Sequence, residues 1–111
     1  MILNYNEVPK ISRDQALHAI ATCFPEDICK ALVSIALHEK DWRWAQDRCL
    51  ELLESKNVEV GAVAATCLGH IARIHKKIDK DRVIPALENF GINSSMFGIV
   101  EDAMDDISMF T

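Results

Sequence analysis

The chain has 111 residues, of which half are hydrophobic and 6% aromatic, so a single domain over residues 1–111 with an aliphatic core is expected. Its formal net charge of -5 and pI of about 5.3 disfavour direct binding of nucleic acid, because a polyanion would be repelled. No run reaches the roughly 18 apolar residues of a membrane span, and Met1–Pro9 lacks the regions of a secretory signal. We therefore expect a cytoplasmic protein without a membrane partner.

Two helices are predicted in the first third of the chain. The first spans about Arg13–Thr22, with Ser12 as N-cap and Gln15 completing a capping box. The second begins at Pro25, because a proline at the first helical position loses no hydrogen bond. Apolar residues on more than one side of this second helix predict that it is covered on more than one face. The apolar edge of the first helix is expected to comprise Leu17, Ile20, Ala21 and Phe24.

Two further helices are predicted in the middle of the chain. The third follows the cap Asp41 and extends to about Ser55, and the fourth extends from Val58 to about His75. Small residues on the back of the fourth helix favour close approach of the second helix of a neighbouring repeat, although a partner on the concave side is an alternative. The residues expected to face inward are Trp42, Ala45, Cys49, Leu52 and Leu53, then Val60, Val63, Ala64, Cys67, Leu68, Ile71 and Ile74.

The last two helices are predicted over Asp81–Phe90 and about Ser95–Phe110. Pro85 lies near the start of the fifth helix, where a proline is tolerated, and Gly91 is expected as its C-cap. In the sixth helix, Met96, Ile99, Val100, Ala103, Ile107 and Phe110 are expected to face inward.

The chain repeats one structural unit. Residues 41–75 form a helix, a tight polar turn and a helix, residues 81–110 do the same, and residues 12–38 form a degenerate first copy. A hairpin of this kind buries its apolar face only against a neighbouring hairpin. The sequence therefore predicts an all-α fold, a short α-solenoid of about three helical hairpins, or six helices.

The fourth helix carries the residues that resemble a HEAT repeat. HEAT repeats have an Asp or Asn in the turn, then Val-Arg, Ala and Leu-Gly along the second helix. The matching residues here are Asn57, Val60, Gly61, Ala64, Leu68 and Gly69. Gly61 departs from the pattern, because the family prefers an arginine that pairs with turn acids of the neighbouring repeat.

Three longer segments carry a narrower resemblance. Residues 41–50 (DWRWAQDRCL), 64–73 (AATCLGHIAR) and 101–107 (EDAMDDI) resemble a bacterial family of small HEAT-like proteins. Some members are immunity proteins of contact-dependent growth inhibition, a toxin–antitoxin type of system. The resemblance implies a protein that binds and neutralises the toxic C-terminal domain of its cognate effector. A generic HEAT-repeat adaptor or scaffold in a bacterial complex is the alternative.

The toxin expected as partner is a nuclease, such as a tRNase, with a basic cleft that an acidic inhibitor would occlude. The candidate contacts from the sequence are Trp44, Glu51, Glu101, Asp102, Asp105 and Asp106. The four acids of the last helix have two interpretations, a basic-partner surface or the polar outer face that a terminal repeat needs for solubility. Trp44 likewise either binds the partner or packs against the N-terminal hairpin.

Catalysis and cofactor binding are not expected. The sequence contains no phosphate-binding loop, nucleophile elbow or metalloprotease motif, and a HEAT-like enzyme acting on DNA is disfavoured by the net charge. The cysteines, at positions 23, 29, 49 and 67, have no metal-ligand spacing and are expected as small buried hydrophobes in a reducing compartment. We predict no enzyme activity, no cofactor, no metal, and a monomer or a weak dimer.

Overall fold

The computed structural model describes residues 9–22 and 24–111. Residues 1–8 and 23 lie outside the described residues. The expectations for the N-terminal signal region and for Cys23 therefore concern residues that the structure does not describe. The described residues form helices and no strands, so the predicted all-α class with six helices is confirmed. The helices are α1 (Arg13–Ala21), α2 (Pro25–His38), α3 (Trp42–Leu53), α4 (Val58–His75), α5 (Lys80–Ser94) and α6 (Phe97–Phe110).

Side-chain caps fix where three of these helices begin. Ser12 and Gln15 form the predicted capping box at the start of α1. The carboxylate of Asp41 accepts a hydrogen bond from the backbone N–H of Trp44 at the start of α3. At the start of α4, the side chain of Asn57 accepts hydrogen bonds from two backbone N–H groups. Such caps satisfy donors that have no partner within the helix.

Consecutive helices pair along the chain, and α4 lies at the centre of the packing. α1 packs against α2, α3 against α4 and α5 against α6, while α4 also packs against α2 and α6. α2 additionally contacts α3, which confirms that it is covered on more than one face. Hairpins that pair in chain order, with their second helices as neighbours, are expected of a solenoid. Assignment to the HEAT type stays a prediction.

Two glycines of α4 allow neighbouring helices to come close. A Cβ placed on Gly61 would lie 2.5 Å from Cε1 of Phe90 in α5, so the residue that departs from the HEAT pattern is covered by an aromatic ring. A Cβ on Gly69 would lie 3.2 Å from Cα of Ala103 in α6. At Gly69, the neighbour that approaches α4 is therefore the second helix of the next hairpin, as predicted.

A buried glutamine joins α3 to the start of α5. Gln46 is fully buried; its Nε2 donates to Oδ2 of Asp79 at 2.9 Å, and its Oε1 accepts from the backbone N–H of Asp79 at 2.7 Å. Arg43 and Arg82 also form ion pairs with Asp79. The hydrogen bond from Gln46, followed by that from Arg43, lowers the pKa of Asp79.

The three described cysteines are buried in the core. Cys29, Cys49 and Cys67 come from α2, α3 and α4, and all three are free thiols. The hydrogen bond with Cys49, together with burial, raises the pKa of the Cys67 thiol. These three residues therefore behave as the predicted small buried hydrophobes.

The predicted apolar edge of α1 is wrong for three of its four residues, and only Ile20 packs against the core. Leu17 and Phe24 are 43% and 64% exposed, and Ala21 is exposed, whereas Ala16 is buried. α1 packs chiefly against α2, so only one narrow stripe of this terminal helix is covered. In α4, Ile74 was also expected to face inward and is 42% exposed.

The predicted end of α5 is wrong as well. The helix does not stop at Phe90 with Gly91 as its cap but continues to Ser94, and Ser95 takes the left-handed conformation with φ 60°. Gly91 is a buried residue within the helix. A Cβ placed on it would lie 3.3 Å from Cγ2 of Val100 in α6. The absence of a side chain at this position therefore allows α5 and α6 to pack closely, and it is not required by a turn.

Candidate protein-binding surfaces

One face of the last helix is left uncovered by the other residues that the structure describes. Five exposed side chains define what we call the α6 outer face, namely Phe97, Glu101, Asp102, Asp105 and Met109. Phe97 and Met109 are 58% and 74% exposed. Phe97, Glu101, Asp105 and Met109 follow at intervals of four residues, so the line extends about 18 Å along the helix axis. The face is therefore an acidic strip with a large apolar residue at each end.

No described basic side chain neutralises the carboxylates of this face. Among the described residues, no basic side chain forms an ion pair with Glu101, Asp102 or Asp105. Acids elsewhere are paired, as in Arg13–Glu39 at 3.1 Å and Arg82–Asp47 at 2.9 Å. Exposed like charges at i, i+4 repel each other within a helix. The negative charge of the α6 outer face thus remains available to a basic partner.

Asp106, the fourth predicted acid, has a different environment. It is half-buried, and its Oδ2 would lie 3.0 Å from a Cβ placed on Gly69, so it contacts α4. There it faces His70, whose Nδ1 accepts a hydrogen bond from Nη2 of Arg73 at 2.7 Å. Burial lowers the pKa of His70, the charge of Arg73 lowers it further, and Asp106 opposes both effects. Asp106 therefore belongs to the contact between α4 and α6.

Trp44 is held by contacts within the chain. Its ring is half-buried, with the guanidinium of Arg13 4.7 Å and that of Arg48 5.3 Å from the ring centroid. Arg13 belongs to α1 and also pairs with Glu39. These are the contacts expected if Trp44 packs against the N-terminal hairpin, the second of the two interpretations given above.

Glu51 lies in a groove between α3 and α5. The groove has a volume of about 860 Å³, and its lining also includes Ser55 and Lys56, in the turn before α4, and Val58, the first residue of α4. The carboxylate of Glu51 is 2.8 Å from Nη2 of Arg48. We call this feature the α3–α5 groove.

The six predicted contact residues do not form one site. Three lie on the α6 outer face, one faces α4, and two lie on α3. The sequence pattern missed Phe97 and Met109, although their spacing from Glu101 and Asp105 places all four on one line of the helix. It missed the groove altogether, because residues about 35 apart in sequence form its two walls.

No described helix has the length and hydropathy needed to cross a membrane. Within residues 9–22 and 24–111, no group of three or more His, Cys, Asp or Glu side chains is placed to hold a metal ion.

The helices and exposed surfaces define a small all-α protein. In solved structures, it is similar to a chain of the crystal structure of the CDI complex from Cupriavidus taiwanensis LMG 19424, with a TM-score of 0.84 and 30% sequence identity. The match covers 98% of both chains. The protein therefore belongs to the family of that component of a CDI complex, which confirms the resemblance to small proteins of contact-dependent growth inhibition. No family model matches the chain, and comparison with curated proteins finds no match.

Proposed function

We propose that this protein is an immunity protein, which binds and neutralises the toxic C-terminal domain of a cognate contact-dependent growth inhibition effector in the cytoplasm. The observation that carries the proposal is the full-length match to a chain of a CDI complex. Inhibition of a toxin by binding would explain why a small domain presents a charged surface and no recognisable reaction chemistry.

The α6 outer face supports a basic protein as partner. Its unpaired carboxylates favour a positively charged surface and speed encounter with it, while Phe97 and Met109 are of the apolar types that are enriched at protein interfaces. Nuclease domains bind phosphates with basic clefts, so an acidic helix that enters such a cleft excludes the substrate. Inhibition would then need no catalysis by this chain.

Co-expression tests the proposal. The C-terminal toxin domain of the cognate effector, for which a large secreted protein encoded by a neighbouring gene is the candidate, is expressed in a bacterial host with and without the protein. We expect growth arrest without it and growth with it, and degraded tRNA or DNA only in the first case. Equal killing in both cultures would contradict an immunity role and favour an adaptor in another complex. Arrest and rescue without nucleic acid damage would keep the immunity role and remove the nuclease.

A further inference from the structure

The α3–α5 groove has apolar residues within a lining that is largely charged and polar. Leu50, Phe90 and Val58 are among the apolar residues, and Val58 is 42% exposed. The volume of about 860 Å³ lies in the range of about 300–1,000 Å³ found for ligand pockets. A groove of this size and lining has room for several residues of another chain.

The charged residues that line the groove favour neither an anionic nor a cationic ligand. Asp47, Glu51 and Glu54 are balanced by Arg48, Lys56 and Arg82 in the lining. Four of these six are already joined in the pairs Arg82–Asp47 and Arg48–Glu51. A phosphate ligand or a polyamine would thus meet as much repulsion as attraction, and a neutral, dipolar ligand fits better.

Two side-chain amides face such a ligand from α5. Nδ2 of Asn93 donates to Oδ1 of Asn89 at 3.2 Å, which leaves the N–H groups of Asn89 and the oxygen of Asn93 for another molecule. The pair thus offers a donor and an acceptor, the two groups that a peptide unit requires.

We propose that the α3–α5 groove binds an extended, uncharged segment of the toxin domain, with its main chain on Asn89 and Asn93 and an apolar side chain against Val58. This inference rests on the proposed function, since the toxin domain is the partner that function assigns. It adds a second contact on a different helix from the α6 outer face.

Filling the groove tests the inference. In Asn89→Trp, a large side chain enters the groove from an exposed helical position, and no charge changes. Ile92→Trp is the matched control, because Ile92 lies on the same helix, is 72% exposed and is not part of the groove lining. Binding of the purified toxin domain is measured by calorimetry. We expect Asn89→Trp to raise Kd about tenfold or more, an effect typical of a buried interface position, and Ile92→Trp to leave Kd within about twofold.

A cross-linker identifies the occupant. A benzophenone side chain at position 56, which lines the groove but is not one of the proposed contacts, is irradiated in the complex, and the attached toxin peptide is identified by mass spectrometry. A cross-link to a loop or strand edge of the toxin is the expected result. Unchanged Kd for Asn89→Trp, or a cross-link to a helix surface or to no toxin peptide, would overturn the groove assignment and leave the immunity role intact. A wild-type protein that does not bind the toxin domain would overturn both proposals.

Discussion

The ring of Phe90 occupies the space that any side chain at position 61 would need. In a helix, replacing an exposed glycine by alanine stabilises by about 1 kcal/mol. At Gly61 the new Cβ would lie 2.5 Å from Cε1 of Phe90, which is itself buried, and forced overpacking of a core costs about 1–3 kcal/mol. We therefore expect Gly61→Ala to lower the free energy of unfolding, measured by urea denaturation.

Gly98→Ala is the control for this prediction. Nothing lies within 4 Å of a Cβ at position 98, which is also helical, so this variant should gain up to about 1 kcal/mol. Combining Gly61→Ala with Phe90→Leu, which vacates the ring position, should cost less than the sum of the two single changes. Stabilisation by Gly61→Ala alone would show that the ring moves aside freely.

The sequence predicted most helix starts because the signals are local. Ser12 with Gln15, Asp41 and Asn57 act within a few residues of the helix ends that they cap. It marked Gly61 as a departure from the HEAT pattern but gave no cause, because the cause is a ring 29 positions further along the chain. Gly91 was misjudged for the same reason, since its neighbour Val100 belongs to another helix.

The candidate surfaces were predicted in part. Charge alone indicated the acidic residues of the last helix, but which of them face solvent depends on where α4 lies. Asp106 contacts α4, whereas Glu101 and Asp105 remain exposed. The packing of Trp44 depends on Arg13, which is distant in sequence, so the pattern left two interpretations open.

The reciprocal pair Gln46–Asp79 should contribute to stability. Gln46→Leu removes both hydrogen bonds, leaving the backbone N–H and part of the carboxylate of Asp79 without these partners. An unsatisfied buried polar group costs about 1–3 kcal/mol, and we expect a loss of this size in urea denaturation. Asp79→Ala and the double variant complete a cycle, in which the double variant should lose less than the sum. Strict additivity would show that the two residues do not act together.

The buried imidazole of His70 predicts a pH-dependent stability. Its pKa is lowered in the folded state by burial and by Arg73, so the unfolded chain binds the proton more readily. The stability associated with neutral His70 is therefore fully present above the unfolded pKa of about 6.5 and is lost as the pH falls through the folded pKa.

His70→Gln tests this dependence, since a glutamine does not titrate and its oxygen can accept the hydrogen bond from Arg73. Between pH 7 and pH 5, the free energy of unfolding should fall more for the wild type than for the variant. The other histidines are present in both proteins and cancel in the comparison. Parallel pH profiles would contradict the prediction.

Charge reversal on the α6 outer face should change binding and stability in opposite directions. Glu101→Lys replaces a repulsive i, i+4 pair with Asp105 by an attractive one, which should add about 0.2–0.5 kcal/mol per pair to the free energy of unfolding. The same change places a positive charge against a basic toxin surface, so we expect Kd for the toxin domain to rise at least about tenfold and its salt dependence to weaken.

Glu88→Lys, an equal change of charge at an exposed site of α5, should leave Kd nearly unchanged. Equal weakening by both variants would mean that only the net charge of the protein matters. Weakening by Glu101→Lys alone, in a protein that unfolds no more easily than the wild type, would assign the contact to this face.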